Sequence, residues 1–198
     1  VEIGGIAVPG DVSDARRVED VVRQARDAAG AIDILVANHA YMTMGPFLEA
    51  DLADWWKIID TNLGGTLHLI QAVLPGMRST GGGRIVIVSS EWGVTGWPEA
   101  SAYSASKAGI HMMARHMASD LVGDHITINS IAPGPFESKM MAYRLDDPNS
   151  RKMVEASVPR KRIGSPEDIA GTVIFLASRA GAYTTGTVIP VDGGISTL

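Results

Sequence analysis

The sequence predicts an α/β fold in which a doubly wound parallel sheet forms a single domain. Short apolar runs bounded by Gly, Asn, Asp or Pro alternate along the 198 residues with longer segments of helical periodicity. The runs are apolar at consecutive positions, as expected of strands buried on both faces of a sheet. Regular alternation of strands and helices is typical of a parallel sheet with helices on both sides.

The strand and helix predictions follow this pattern along the chain. Strands are predicted at residues 6–8, 34–37, 84–88, 126–131 and 188–191. Helices are predicted within residues 18–29, 52–77 and 100–122, with Ser13 as N-cap and Gly30 as the end of the first. A last helix is predicted after Ser165, since Pro follows at its first position and acids fill its first turn. Residues 133–159 are the least regular and form a candidate lid.

Composition narrows the classes of partner. The chain is 45% hydrophobic and 20% charged, which suits a globular domain with a sizeable core. Its net charge is −5 and no basic stripe occurs, so we expect no nucleic-acid partner. The absence of cysteine excludes disulfide and thiolate chemistry and is compatible with the cytoplasm, where we expect the protein. Residues 61–77 lack charged side chains but contain polar ones and Pro75, so we expect a buried helix and no membrane partner.

Ser90, Tyr103 and Lys107 are the candidate catalytic residues. Tyr103 and Lys107 lie four residues apart in a helical pattern and therefore share a face. A phenol can protonate the alkoxide that hydride transfer to a carbonyl leaves, although its ordinary pKa is about 10. A nearby cation lowers that pKa, and we expect Lys107 to do so. Ser90, at the end of a predicted strand, can hydrogen-bond the substrate oxygen.

The motif around these residues resembles the signature of a known family. Ser90, followed by Tyr103 in the segment YSASKAG at residues 103–109, resembles the catalytic signature of short-chain dehydrogenases/reductases. Asn62 resembles that family's fourth catalytic residue, which bends a helix so that its carbonyl holds a water of the proton relay. The resemblance implies a Rossmann-like fold, an NAD or NADP cofactor and a small carbonyl or alcohol substrate. Residues 133–140 and 181–183 are similar to the branch of 3-oxoacyl-[acyl-carrier-protein] reductases.

The resemblance also implies which turns meet the cofactor. The turn at residues 10–12 resembles the one that meets the adenine ring, and residues 37–40 occupy the place of the family's Asn-Asn-Ala-Gly. Residues 129–134 resemble the strand and turn over the nicotinamide, and Ser138 replaces the usual Thr. The implied cofactor-binding residues are Asp11, Val12, Asn38, His39, Ala40, Tyr103, Lys107, Pro133, Gly134, Pro135, Phe136 and Ser138.

The substrate site is predicted in the loop after Ser90. Glu91, Trp92 and Trp97 form either an aromatic-walled pocket with one acid or a packing contact between the loop and the lid. Phe136 and Met140 are candidates for the opposite wall. The predicted substrate-binding residues are Ser90, Glu91, Trp92, Trp97, Tyr103, Phe136 and Met140.

The family's glycine-rich phosphate-binding turn does not occur in this sequence. The resemblance therefore implies that two preceding strand–helix units, on the order of 50 residues, are missing from it. We expect a natural protein of roughly 250 residues. Without those units we expect residues 6–8 to lack a sheet neighbour, residues 34–37 to form an exposed edge, and the chain to fold poorly and bind dinucleotide weakly. The residues that select NAD or NADP would lie in that segment.

Besides the enzyme, three further interpretations are considered: a binding protein, a serine–lysine hydrolase and a metal site. A protein of this fold without turnover would act as a binding or structural partner. Ser104 and Lys107 also spell the S-x-x-K motif of serine–lysine hydrolases, although the other motifs of that class do not follow. His111 and His116, about 140° apart on a helix, are poorly spaced to share a metal, and we expect none.

Apolar residues on several faces of the helices near Asn62 and Lys107 predict a homotetramer, or else a dimer.

Overall fold

A computed structural model describes residues 4–197. In that part of the chain, four strands form one parallel sheet with the order β1-β2-β3-β4. They are β1 (Ile34–Ala37), β2 (Gly83–Val88), β3 (Ile126–Pro133) and β4 (Val188–Val191). Helices connect them and cover the sheet, which confirms the predicted α/β class.

Eight helices flank the strands in residues 4–197. They are α1 (Ala15–Ala29), α2 (Leu52–Ile59), α3 (Gly65–Thr80), α4 (Trp92–Thr95), α5 (Ser101–Leu121), α6 (Ala142–Leu145), α7 (Pro148–Ser157) and α8 (Pro166–Ala177). The single helix predicted over residues 52–77 is interrupted by a π-helical turn, Asp60–Gly64, between α2 and α3. None of the described helices has the length and apolar character needed to cross a membrane.

The caps of the helices agree only in part with the sequence pattern. Asp14, and not Ser13, caps α1, since its carboxylate accepts hydrogen bonds from the amides of Arg16 and Arg17. Ser13 instead donates from both its amide and its hydroxyl to Asp11. At α8, the Ser165 amide donates to the Asp168 carboxylate, so the predicted start of that helix is confirmed.

The first predicted strand does not form. Residues 6–8 belong to no strand in the described chain, which corrects the strand prediction and agrees with the expectation of no sheet neighbour. β1 is an edge strand, as expected, and its Ile34 and Val36 side chains are 49% and 42% exposed. Backbone groups along such an edge lack a ladder partner on one side.

The core lies on both faces of the sheet. On one face Ile85 and Ile128 pack with residues of α1, α3 and α5, such as Ile70 and Ile110. On the other face Val86 and Ile131 pack against Leu176 of α8. Because successive residues of a strand point to opposite faces, this two-sided burial explains why the strands are apolar at consecutive positions.

Candidate active site

The candidate site lies where β1, β2 and β3 end. Asn38, Ser89 and Gly134 follow the last residues of these three strands. The loop after β2 is tied to β3, since the Ser89 amide donates to the Ile131 carbonyl at 2.8 Å and the Glu91 amide donates to the Pro133 carbonyl at 3.0 Å. The carboxyl ends of parallel strands are where doubly wound folds bind ligands. The sheet thus brings Ser90 to this edge.

Helix α5 brings Tyr103 and Lys107 to the same place. α4 and α5 pack closely because position 93 is glycine: a Cβ there would lie 2.7 Å from the carbonyl carbon of Lys107. Ser89 adds a hydrogen bond from its hydroxyl to the Lys107 carbonyl at 3.1 Å. Tyr103 is 7% exposed and Lys107 1% exposed. The three predicted catalytic residues are therefore adjacent and buried.

Lys107 is a buried cation whose Nζ donates to the Val88 carbonyl at 3.0 Å. No carboxylate within residues 4–197 forms a salt bridge with it. Burial, which disfavours the ammonium, lowers the pKa of Lys107 to about 8. Its Nζ lies 5.5 Å from the centroid of the Tyr103 ring.

Tyr103 departs from the expected electrostatics. Burial raises the pKa of the Tyr103 phenol to about 12, and the negative charge of Glu91 adds to the rise, while Ser90 partly opposes it. Lys107 was expected to lower this pKa, but its ammonium is directed to Val88 and desolvation of the phenolate dominates. The raised pKa favours the neutral phenol, which is the form that can donate a proton.

Ser90 connects the phenol to an acid. Its hydroxyl donates to Glu91 Oε2 at 3.1 Å, and its oxygen accepts a hydrogen bond from the Trp92 amide at 3.2 Å. Glu91 is almost fully buried, and burial raises the pKa of its carboxyl to about 7, to which the charge of Asp192 contributes. The sequence predicted an acid in the pocket but not its bond to Ser90.

Asn62 lies in the π-helical turn and is completely buried. Its Nδ2 donates to the Tyr41 carbonyl and to Ser106 Oγ, both at 3.0 Å, and its Oδ1 accepts from the Tyr41 amide at 2.7 Å. Its backbone carbonyl accepts a hydrogen bond from Thr66 Oγ1 at 2.7 Å. The amide side chain thus joins the loop after β1 to helix α5, on which Tyr103 and Lys107 lie.

The turns predicted to meet the nucleotide lie beside α3. The carbonyl of Val12 is 2.9 Å from His68 Nδ1. The carboxylate of Asp11 accepts a hydrogen bond from the amide of Ser13. His39 is half-buried with its Nε2 3.4 Å from Thr66 Oγ1, and burial lowers the pKa of its imidazole. Asn38 and Ala40, on either side of it, are exposed.

The segment after β3 is held against the end of β4. The Gly134 amide donates to the Val191 carbonyl at 3.0 Å, and a Cβ at Gly134 would lie 2.8 Å from the Cα of Asp192. Pro133 and Pro135 flank this glycine and are partly buried. Ser138 is exposed, and its Oγ accepts a hydrogen bond from the amide of Met141 at 3.2 Å.

Phe136 packs against the segment that precedes α8. A Cβ at Gly164 would overlap the Phe136 ring, so this ring occupies the space that the missing side chain leaves. The backbones of Phe136 and Gly164 also form an isolated parallel bridge.

A cleft of about 560 Å³ is lined in part by Met140, a predicted wall residue that packs, with Tyr41 and Met42, against the cluster that contains Tyr103. Its other walls come from the loop after β1 and from the lid: Ala40, Tyr41, Met42, Thr43, Met44, Lys139 and Tyr143. Sequence reasoning missed all of them except Ala40, which it had assigned to the cofactor. Residues 41–44 directly follow the Asn38–Ala40 turn. Because segments that follow strand ends border such sites, this position was the signal that could have identified them.

The tryptophans pack between the site and the lid. Trp92 stacks on Trp97 with ring centroids 5.1 Å apart and meets Tyr103 edge-on at 5.8 Å. The Arg144 guanidinium of α6 lies 5.5 Å from the Trp97 ring centroid. Trp92 is thus a neighbour of the Tyr103 phenol, and Trp97 contacts the lid through Arg144.

The alternative sites gain no support from the geometry. Lys107 donates to Val88, and Ser104 Oγ is buried without a hydrogen-bond partner in residues 4–197, so they do not form the pair of a serine–lysine hydrolase. His111 is buried and His116 is exposed on α5. In the described residues no three potential metal ligands cluster.

Comparisons with known proteins agree with this geometry. The model of the family described as enoyl-(acyl carrier protein) reductase matches residues 1–196. The rhamnolipids biosynthesis 3-oxoacyl-[acyl-carrier-protein] reductase of Pseudomonas aeruginosa is 37% identical over 194 residues, covering 95% of this chain and 75% of that protein. An L-rhamnose 1-dehydrogenase (NAD(P)(+)) of Sphingomonas is 36% identical over 191 residues, covering 96% and 75%.

A solved structure gives the same result for the fold. The Pseudomonas aeruginosa RhlG/NADP active-site complex superposes with a TM-score of 0.91 at 34% identity, covering 96% of this chain and 76% of that one. The fold, the motifs and these relatives together show that the chain belongs to the short-chain dehydrogenases/reductases, NAD(P)-dependent oxidoreductases that act on CH–OH groups.

Proposed function

We propose that the chain is a carbonyl reductase that forms a secondary alcohol, with Ser90, Tyr103 and Lys107 as its catalytic residues. The observation that carries this proposal is the burial of the Tyr103 phenol together with Ser90 and Lys107 at the carboxyl edge of the sheet. Carbonyl reduction requires a proton donor at the substrate oxygen, and a phenol held in its neutral form meets that requirement.

The donor set at Lys107 fits a nicotinamide dinucleotide. An ammonium group has three N–H donors, and in residues 4–197 only the Val88 carbonyl accepts from Lys107. Two donors remain for the hydroxyls of a ribose. The exposed turn of Asn38 and Ala40 lies at the neighbouring strand end and would contact the same ligand. We include in this proposal the cofactor contacts that the family resemblance implies at residues 11–12 and 133–138. The bound dinucleotide supplies the hydride.

The protein's own residues handle the oxygen and the proton. Ser90 Oγ and Tyr103 Oη hold the substrate oxygen, and Tyr103 donates its proton to it. Proton donation leaves a phenolate at Tyr103. Lys107 lies on the same helix face with its Nζ 5.5 Å from the Tyr103 ring centroid, and its lowered pKa suits it to replace the proton. Asn62 supports the relay by holding the π-helical turn against α5, and the family resemblance gives its carbonyl a bound water.

The cleft indicates the kind of substrate. Met42, Met44 and Met140 line it with flexible apolar side chains, and Lys139 adds a positive charge. An aliphatic group next to the carbonyl, with an acidic group farther away, suits these walls. The name of the Pseudomonas aeruginosa relative points to 3-oxoacyl thioesters, which we propose as the first substrates to try.

The test is an assay of NADPH and NADH oxidation by the purified protein with 3-oxoacyl thioesters and a panel of ketones. We expect saturable cofactor binding and turnover that the Tyr103→Phe substitution removes. Cofactor binding without turnover of any carbonyl in the panel would favour the alternative, a binding protein of this fold. Turnover that survives Tyr103→Phe would contradict the assigned roles.

We also propose the setting in which the enzyme works. Residues 1–198 form one Rossmann-like domain, which acts on a small molecule in the cytoplasm as a homotetramer. Large apolar side chains of Trp56, Val94 and Met112 are more than half exposed on the helices next to the site, which supports burial between copies. Native mass spectrometry tests the assembly, and a monomer at micromolar concentration would contradict it.

A further inference from the structure

Glu91 is a buried acid without a cationic partner. Its side chain is 7% exposed, and in residues 4–197 it forms no salt bridge. Its carboxylate accepts one side-chain hydrogen bond, from the hydroxyl of Ser90. A buried carboxylate costs free energy unless it is paired or protonated. Glu91 lies directly beside Ser90, so its protonation state bears on the hydrogen bonds of that serine.

The charged and titratable groups around Glu91 do not neutralise it. Tyr103 of α5 is a neutral phenol, and Asp192, after β4, carries the same sign of charge and raises the pKa of Glu91. Lys107 directs its ammonium to Val88, and Arg144 of the lid lies over Trp97. His111, also on α5 and close to Gly93, is held neutral, since burial lowers its pKa to about 4.

The hydrogen bonds of Ser90 depend on the state of Glu91. A hydroxyl has one proton to donate and two lone pairs that accept. One lone pair accepts from the Trp92 amide. An ionised carboxylate can only accept hydrogen bonds, so when Glu91 is ionised Ser90 donates its single hydroxyl proton to Glu91. A protonated carboxyl can donate to the second lone pair of Ser90, and the serine proton is then free for the substrate oxygen.

We propose that Glu91 is a positioning residue for Ser90, which in its protonated form releases the Ser90 proton to the substrate oxygen and in its ionised form withdraws it. The inference rests on the proposed carbonyl reduction. Burial places the pKa of Glu91 at about 7, so both forms are populated near neutral pH. Activity should therefore fall as the pH rises through this value.

The kinetic test compares pH profiles of kcat/KM for carbonyl reduction. In the natural protein we expect an alkaline limb near pH 7, falling about tenfold per pH unit until a Ser90-independent level is reached. Glu91→Gln should remove this limb, because an amide can always donate to Ser90. Glu19→Gln, an exposed glutamate of α1, is the matched control and should keep it. Titration of Lys107 should leave only a limb near its own pKa of about 8, so a limb that stays near pH 7 in Glu91→Gln would overturn the proposal.

A second variant tests that Glu91 acts through Ser90. In the Ser90→Ala background the limb should be absent, and adding Glu91→Gln should change neither the shape nor the level of the residual profile. An independent effect of Glu91→Gln in that background would show that the acid acts elsewhere, and would contradict the proposal.

A measurement without turnover separates this inference from the proposed function. Infrared difference spectra of the protein between pH 5 and pH 9 should contain a protonated-carboxyl band that titrates near pH 7 and is missing in Glu91→Gln. If the band is lost in Glu91→Gln but the natural protein has no reductase activity, the proposed function is overturned while the titration of Glu91 stands. A protein in which Glu91→Gln leaves the spectra unchanged would overturn the role of Glu91, whatever the activity.

Discussion

The floor of the candidate site and the wall of its cleft are built differently. We define the floor as Asn62, Ser90, Tyr103 and Lys107, which are all buried and hydrogen-bonded or packed to residues from other elements. We define the wall as residues 41–44, 97 and 139–143. In the wall, Trp97 and Tyr143 are 43% and 58% exposed. The floor is therefore held in one geometry, while the wall can adjust.

This difference separates chemistry from specificity. Proton donation tolerates little movement between donor and substrate oxygen, which favours a packed floor. Recognition of the rest of the substrate needs only shape and apolar contact, which a wall rich in methionine supplies. Substitutions in the floor should therefore affect all substrates alike, and those in the wall should affect some substrates more than others.

The largest expected effect is on the proton donor. Tyr103→Phe should lower kcat by about 10²–10⁴-fold for every carbonyl. Tyr183→Phe is the matched control, because the Tyr183 side chain is fully exposed, and it should leave kcat unchanged. Steady-state kinetics with two unlike ketones checks this. A loss confined to one ketone would mean that Tyr103 belongs functionally to the wall.

The next effect is on the anchor of the floor. Asn62→Ala leaves the amide and carbonyl of Tyr41 without their partners, and should lower the free energy of unfolding by about 2–4 kcal/mol. Asn149→Ala, at an exposed position of α7, should cost much less. Urea denaturation measures both. Equal losses in the two variants would show that the floor does not depend on this network.

The buried acid makes the stability of the floor depend on pH. The pKa of Glu91 is raised from 4.5 to about 7, so ionisation opposes folding, with no cost below pH 4.5 and the full cost above pH 7. Glu91→Gln should therefore stabilise the protein by up to about 3 kcal/mol at pH 8 and by little at pH 4. Melting temperatures at both pH values provide the test. A gain that is larger at pH 4 would contradict the assigned sign.

The smallest effect is expected in the wall. Trp97→Ala removes the ring that stacks on Trp92 and contacts Arg144, and should raise KM by about tenfold for bulky substrates while kcat stays similar. Tyr183→Ala, which removes a fully exposed aromatic ring, is the control. A uniform fall in kcat for all substrates would place Trp97 in the floor and remove the distinction between the two regions.

The sequence by itself determined the class of the fold and the set of candidate catalytic residues. Apolar runs of strand length predicted β1 to β4, because burial on both faces of a sheet leaves a local pattern. The spacing of Tyr103 and Lys107 placed both on one helix face, because helical geometry depends only on separation along the chain. The family motif around them is equally local, and it identified Asn62 without any knowledge of its contacts.

Only the tertiary structure decided how these residues behave. Asp14 replaced Ser13 as the cap of α1, since Asp11 binds Ser13. Lys107 is directed to Val88 and leaves the Tyr103 pKa high, and Glu91 is bound to Ser90. Phe136 fills the space at Gly164, and residues 41–44 line the cleft. Burial, desolvation and hydrogen-bond partners come from residues distant in the chain, so no local pattern encodes them.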